Sequence, residues 1–184
     1  MGTTDAVVVG AGVIGLTSAV ALAEEGMKVA CWTAAPASRT TSSVAGAMWA
    51  GSPLAVPGDR LTGWTERSLP VFRELARRSE GGVHIAAGVV ASRELAEPPP
   101  AQMFPGVELH RAERVPAGYR SAFELEVPLI DMSRYLGYLE ARLRSAGAEV
   151  ALHPVAALEQ AAAAAPLVVN CTGMGRASSR RMTR

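Results

Sequence analysis

Residues 10–15 read Gly10, Ala11, Gly12, Val13, Ile14, Gly15, and the spacing of the three glycines suits a turn that holds a pyrophosphate. Gly10 permits a sharp exit from a strand. Gly12 removes a Cβ, so an anionic group can approach the main chain, and Gly15 lets a helix lie close on the strand before it. The first amides of that helix have no carbonyl partner behind them and favour phosphate charge. Alone, the pattern is a weak signal. Its context strengthens it, because "DAVVV" at residues 5–9 is the apolar run of a parallel strand covered on both faces. "LTSAVALAEE" follows as a helix, Gly26 stands where a left-handed cap ends it, and "MKVACW" is a second strand. A β-turn-α-β unit of this kind predicts a bound dinucleotide; the alternative is a tight turn with no ligand.

The second strand should end in an acid that bridges ribose hydroxyls. Thr33, Ala34 and Ala35 stand there instead. A charged acceptor on a hydroxyl contributes about 1.5–3 kcal/mol, so its loss weakens nucleotide binding. Arg39 offers a second reading, a cation for the 2′-phosphate of NADP.

The elements that must position this turn lie at both ends of the chain. Residues 33–63, rich in Ala, Ser, Thr, Gly and Pro, read as a long loop. "TERSLPVFRELARRS" at 65–79 carries Leu69, Phe72, Leu75 and Ala76 at helical spacing, with Pro70 tolerated near a first turn or as a kink. "VHIAAGVVAS" and "YRSAFELEV" are β-like, and "EPPPAQMFPG" between them reads as a stiff surface connection. In "IDMSRYLGYLEARLRSAG", Met132, Tyr135, Leu136, Leu139 and Leu143 line one helix face, Asp131 can cap it and Gly147 can end it. "AEVALHPV", "AALEQAAAAA" and "PLVVN" then read as strand, short helix and strand. The α/β pattern thus occupies both ends, around a β-rich insert.

Three ordered segments, "VVVGAGVIGLTSAVALAEEG", "RTTSSVAGAMWAG" and "VVNCTGMG", together resemble the D-amino-acid oxidase family of FAD enzymes. "PLIDMSRYLGYLEARLRSAGAEV" also resembles that family, and the likeness runs from about residue 5 to 175. It implies an α/β fold: a Rossmann-like FAD-binding domain, discontinuous over residues 1–50 and 131–175, with a partial β-rich substrate-domain insert at 51–130 and the C-terminal half missing. It implies FAD contacts at Gly10, Ala11, Gly12, Val13, Ile14 and Gly15, at Thr41, Ser42, Gly46, Ala47 and Met48, and at Val155 and Thr172. The residue types agree. Thr40, Thr41, Ser42 and Ser43 bring hydroxyls to an anionic cofactor. Ala45, Gly46 and Ala47 let a planar ring approach the main chain, and Met48 and Trp49 give that ring apolar neighbours.

The implied activity is oxidative deamination of a D-amino acid to a 2-oxo acid, with ammonia and hydrogen peroxide as co-products and O2 as oxidant. The family's substrate-binding arginine and active-site tyrosine lie beyond the point matching Gly175, so no catalytic residue is assigned and weak or absent turnover is expected of this chain alone. Residues 176–184 hold Arg176, Arg180, Arg181 and Arg184 with no apolar period, and predict an unstructured tail. Back-translated with GC-rich codons and shifted by two bases, "GRASSRRMT" yields a family-like stretch, which suggests a frameshift near Gly175; the DNA after codon 175 tests it. An open sheet edge would then invite self-association. The competing readings are a non-catalytic dinucleotide-binding remnant or subunit, and an NADP-dependent oxidoreductase.

Composition bounds the rest. At 184 residues, 49% hydrophobic and 19% charged, the chain can bury a core. Without the four tail arginines it is mildly acidic, which argues against a nucleic-acid partner. No apolar run reaches the 18 or so residues of a membrane span, and the glycine-broken N-terminus has no basic leader. Cys31 and Cys171 read as reduced thiols, and the protein as soluble and cytoplasmic. His84, His110 and His153 lack ligand spacing, so no metal site is expected.

Overall fold

The computed structural model describes residues 3–50, 58–100 and 103–173. The 176–184 tail, with its suggested frameshift, lies outside the described residues. The chain forms two compact units: the described parts of Met1–Ala45 with Met132–Arg184, and of Gly46–Asp131.

The first unit is a parallel sheet in the order β6-β2-β1-β7, built from β1 (Ala6–Val9), β2 (Val29–Thr33), β6 (Val150–Leu152) and β7 (Leu167–Asn170). All four residues of β1 are buried, as its unbroken apolar run requires of a central strand. Side chains alternate across it. Val7 and Val9 join Ala161 and Ala165 in one cluster, with Trp32, Val155 and Val168 packed around it. Ala161 lies in α4 (Leu158–Ala162), which packs on β1 and β7, and Ala165 follows it. The helices α1 (Val13–Glu24) and α3 (Met132–Ser145) pack on one another, and α1 also lies against β1 and β2. Met132, Tyr135, Leu136, Leu139 and Leu143 are all buried, as their spacing predicts. Arg142 on α3 donates to both carboxylate oxygens of Glu24 on α1, at 2.5 and 2.7 Å.

The second unit holds α2 (Arg60–Arg77) and an antiparallel sheet in the order β3-β5-β4. Its strands are β3 (Val83–Ser92), β4 (His110–Arg111) and β5 (Ser121–Ile130). β3 and β5 pair over their full length, from Val83 opposite Ile130 to Ser92 opposite Ser121. Trp49, Leu69, Phe104, Leu125 and Val127 form the core.

Several boundaries differ from expectation. α2 starts at Arg60 because Asp59, expected in a loop, caps it: the carboxylate accepts from the Thr62 amide at 2.7 Å. Pro70 stands inside α2 rather than in its first turn. β5 runs on past Val127 to Ile130, whose amide donates to the Ala47 carbonyl at 2.9 Å, while α3 begins at Met132, as a cap at Asp131 requires. The proline-rich connection is not purely surface, because Phe104 anchors the core. Part of the long loop is ordered as two 3-10 turns, Ala37–Arg39 and Thr41–Val44. Among the described residues, no helix is long and apolar enough to cross a membrane.

Candidate nucleotide-binding site

Four parallel strands point their carboxyl ends the same way, which is where α/β sheets bind ligands. Val9 pairs with Trp32 on one side and Asn170 on the other, and Thr33 pairs with Leu152. The segments that leave these ends are therefore neighbours: the glycine turn, Thr33–Ala35, His153–Val155 and Cys171–Gly173.

The glycine turn is built to a tight tolerance. Gly10 has φ +116°, and a Cβ there would lie 2.3 Å from the Cys171 carbonyl oxygen. A Cβ on Gly15 would lie 1.8 Å from the Gly10 carbonyl oxygen and 3.3 Å from the Cys171 Cβ. Both glycines are thus needed for helix, strand and β7 exit to close on one another. Backbone bonds lock the junction: the Gly10 amide donates to the Trp32 carbonyl at 2.7 Å, and the Cys171 amide to the Val9 carbonyl at 2.8 Å.

Gly12 caps α1 with extended backbone, and a Cβ there would meet the Ser42 Oγ at 2.9 Å. That hydroxyl accepts from the Val13 amide at 3.1 Å. Ser42 thus takes one of the four N-terminal amides that α1 cannot satisfy itself, and the Leu16 amide bonds back to the Gly12 carbonyl. The amides of Ile14 and Gly15 have no carbonyl of α1 behind them, and Ile14 is 68% exposed. Amide donors at a helix start of this kind fit the pyrophosphate of FAD.

The Ser/Thr run divides its labour. The Thr40 hydroxyl donates to the Ala37 carbonyl at 2.7 Å, and the Ser43 hydroxyl lies 2.8 and 2.9 Å from the Thr40 and Ser38 carbonyls. Those two are spent on their own turns, contrary to the expectation that all four hydroxyls serve a cofactor. Thr41 is exposed and Ser42 half-buried at the glycine turn. At the end of β7, the Thr172 amide and hydroxyl both donate to the Asn170 Oδ1, at 3.2 and 2.9 Å. Val155 is half-buried beside the sheet. Gly10–Gly15, Thr41, Ser42, Val155 and Thr172 all belong to this first unit.

Gly46, Ala47 and Met48 belong to the second unit, which holds six residues expected in the nucleotide domain, Gly46–Ala50 and Asp131. The reason is pairing. Met48 bridges Leu129, and the Trp49 amide donates to the Pro128 carbonyl at 2.8 Å. Gly46 has open space where a Cβ would stand, and Met48 is 54% exposed. Trp49 is not available to a ring: it is 5% exposed in the core, and its indole Nε1 donates to the Ser68 Oγ at 2.9 Å.

Neither thiol offers a nucleophile. Burial pushes the Cys31 thiol up to about 12. Burial also raises that of Cys171, against a smaller opposing effect of a hydrogen bond with Ser18. No group of described His, Cys, Asp and Glu residues could hold a metal ion. Sequence reasoning missed two contacts, the Ser42–Val13 bond and the packing of His153 on Trp32 at 4.3 Å between ring centroids. The first was signalled only by a serine in a small-residue run; the second had no signal of its own.

The family model described as FAD dependent oxidoreductase matches residues 5–183. A D-amino-acid oxidase of Streptomyces coelicolor is 44% identical over 182 residues, and one of Rubrobacter xylanophilus 41% over 171 residues. These matches take in 93% and 92% of this chain but 52% of each relative, so the chain spans about half their length. Among solved structures, L-amino acid deaminase from Proteus myxofaciens matches with a TM-score of 0.63 at 14% identity, over 82% of this chain and 38% of that one. The L-alpha-glycerophosphate oxidase of Mycoplasma pneumoniae, solved with FAD bound, matches with a TM-score of 0.60 at 13% identity, over 83% and 45%. These two share the fold.

Proposed function

Because the chain belongs to the family of FAD dependent oxidoreductases, we propose that it is the nucleotide-binding part of a D-amino-acid oxidase. The observation that carries this reading is the convergence of Gly10–Gly15, Ser42 and Thr172 on the carboxyl ends of β1 and β7. The two relatives at 41–44% identity, both D-amino-acid oxidases, favour the D-amino acid as substrate. Membership of an FAD family also favours FAD over the NADP reading of Arg39.

FAD, when bound, supplies the two-electron oxidation of an amine, with O2 as final acceptor and peroxide as product. The chain's residues bind and orient it. The amides of Ile14 and Gly15 take the pyrophosphate, with Gly10, Ala11, Gly12 and Val13 forming the turn around it. Ser42 fixes the helix start, Thr41 adds a hydroxyl, and Thr172 and Val155 close the site from β7 and from the segment after β6. Gly46, Ala47 and Met48 offer an open main chain and an exposed apolar side chain to the flavin ring. The discontinuous nucleotide domain, residues 1–50 and 131–175, supplies the cradle, and residues 51–130 are part of a substrate domain.

Unpaired Cys31 and Cys171 suit a reducing, cytoplasmic setting. β6 and β7 edge their sheet among the described residues, with Leu152 68% and Leu167 40% exposed, and these edges suit self-association.

Purification followed by absorbance near about 450 nm, a property of oxidised flavin, tests cofactor binding. A peroxide assay with D- and L-amino acids tests the reaction. Faintly yellow protein with little peroxide, and that from D-amino acids only, is the expected result for this chain alone; robust turnover would contradict the expectation of an incomplete active site. Flavin binding with no peroxide from either series would favour a non-catalytic nucleotide-binding subunit, and colourless protein that takes up no added FAD would refute the reading.

A further inference from the structure

The carboxyl edge of the parallel sheet lacks the acid that usually meets a ribose, yet it is not without a polar group. Gly10, Ala34, His153 and Cys171 are the residues that directly follow the four strands. Only His153 brings a strongly polar side chain. Two nearby side-chain oxygens are already engaged: the Thr33 Oγ1 donates to the Ala35 carbonyl at 2.8 Å, and the Asn170 Oδ1 accepts twice from Thr172.

His153 is also held in place. Its amide donates to the Thr33 carbonyl at 2.9 Å, which ties it to the end of β2, where the missing acid would stand. Its ring packs on Trp32 at 4.3 Å with the planes 38° apart. Pro154 follows it and restricts its backbone to extended conformations. The residue is nonetheless exposed, so the imidazole edge is open to a ligand.

We infer that His153 hydrogen-bonds the ribose hydroxyls of the adenosine half of the bound dinucleotide, in place of an acid at the end of β2. The inference rests on the nucleotide-binding reading above. A neutral imidazole carries one donor and one acceptor, which matches a vicinal diol, whereas a carboxylate only accepts. Fixing the ring beforehand lowers the entropy cost of making the bond.

Calorimetric titration of the full chain with ADP and with 2′-deoxy-ADP tests this. The wild-type chain should prefer ADP by about three- to tenfold, the worth of one neutral hydrogen bond. His153→Ala should bind both alike, and His153→Gln, which keeps a donor and an acceptor, should restore part of the preference. A merely structural role would weaken both nucleotides equally and leave the ratio intact. An unchanged ratio in His153→Ala therefore overturns the inference while leaving the nucleotide-binding reading in place. A wild-type chain that binds neither ADP nor FAD overturns both.

Discussion

The two units bury their strands differently. In the first, β1 is sealed on both faces, with Val7 and Val9 on the α4 side and Ala6 and Val8 on the other. In the second, β3 exposes much of its length, Ile85 at 42% and Val89 at 56%. Both sheets have continuous ladders, so hydrogen bonding does not distinguish them. The difference lies in what covers the sheet. A parallel sheet needs crossover helices, which close over both faces; an antiparallel sheet can leave one face to solvent. The first unit therefore has little tolerance at its strand ends, and the glycine turn is placed there.

The sharpest way to break this contrast is through paired glycines. Gly15→Ala puts a Cβ into the Gly10 carbonyl and should cost about 3–5 kcal/mol in urea unfolding. Gly88→Ala in β3 meets the Leu125 Cδ2 at an ordinary 4.0 Å and should lie within about 0.5 kcal/mol of wild type. Equal costs would erase the distinction. Next in size, Leu143→Ala empties a fully buried site on α3 and should destabilise by about 2–5 kcal/mol, against about 0.5 kcal/mol for the exposed Ile85→Ala. Hydrogen exchange followed unit by unit would locate each loss.

A smaller effect depends on pH. Burial holds the Cys31 thiol protonated up to about 12, whereas an unfolded thiol ionises near about 8.5. The folded value is raised, so this group's contribution is complete below the unfolded value and is lost as pH climbs toward the folded one. Wild type should therefore lose about 2 kcal/mol relative to Cys31→Ala between pH 8.5 and pH 10. The second unit contains no cysteine and should show no such difference between the two proteins. Parallel pH profiles for wild type and Cys31→Ala would contradict the burial argument.

Smallest of all is the link between α1 and α3. Hydrogen bonding to Arg142 lowers the Glu24 carboxyl, but the pair is exposed, so Arg142→Ala should cost only about 0.2–1 kcal/mol at pH 7. The folded value is depressed, so the contribution is present above the ordinary carboxylate range and disappears as pH falls through the lowered value. A wild-type advantage that persisted at pH 2 would assign the effect of Arg142 to packing instead.

The first unit was the more legible in sequence. Local patterns carried it: an apolar run, three glycines, a helical stripe from Met132 to Leu143 and a strand before Cys171. What escaped was the contact between distant segments. Ser42 reaches Val13 across 29 positions, and nothing in "TTSSV" marks one hydroxyl as different from its neighbours. Trp49 illustrates the same limit: a tryptophan beside a small-residue stretch suits a ring neighbour or a core, and only the pairing of residues 47–49 with the end of β5 decides for the core. Phe104 was hidden by the prolines before it, whose stiffness reads as surface although the segment returns to the interior.

The central claim is that the carboxyl edge of the parallel sheet receives an FAD nucleotide. Hydrogen exchange with and without FAD tests it most directly. The account predicts slower exchange at residues 12–16, 41–48 and 171–173 on adding FAD, with β3 unchanged. FAD that left residues 12–16 exchanging at their original rate, while protecting other segments, would contradict it.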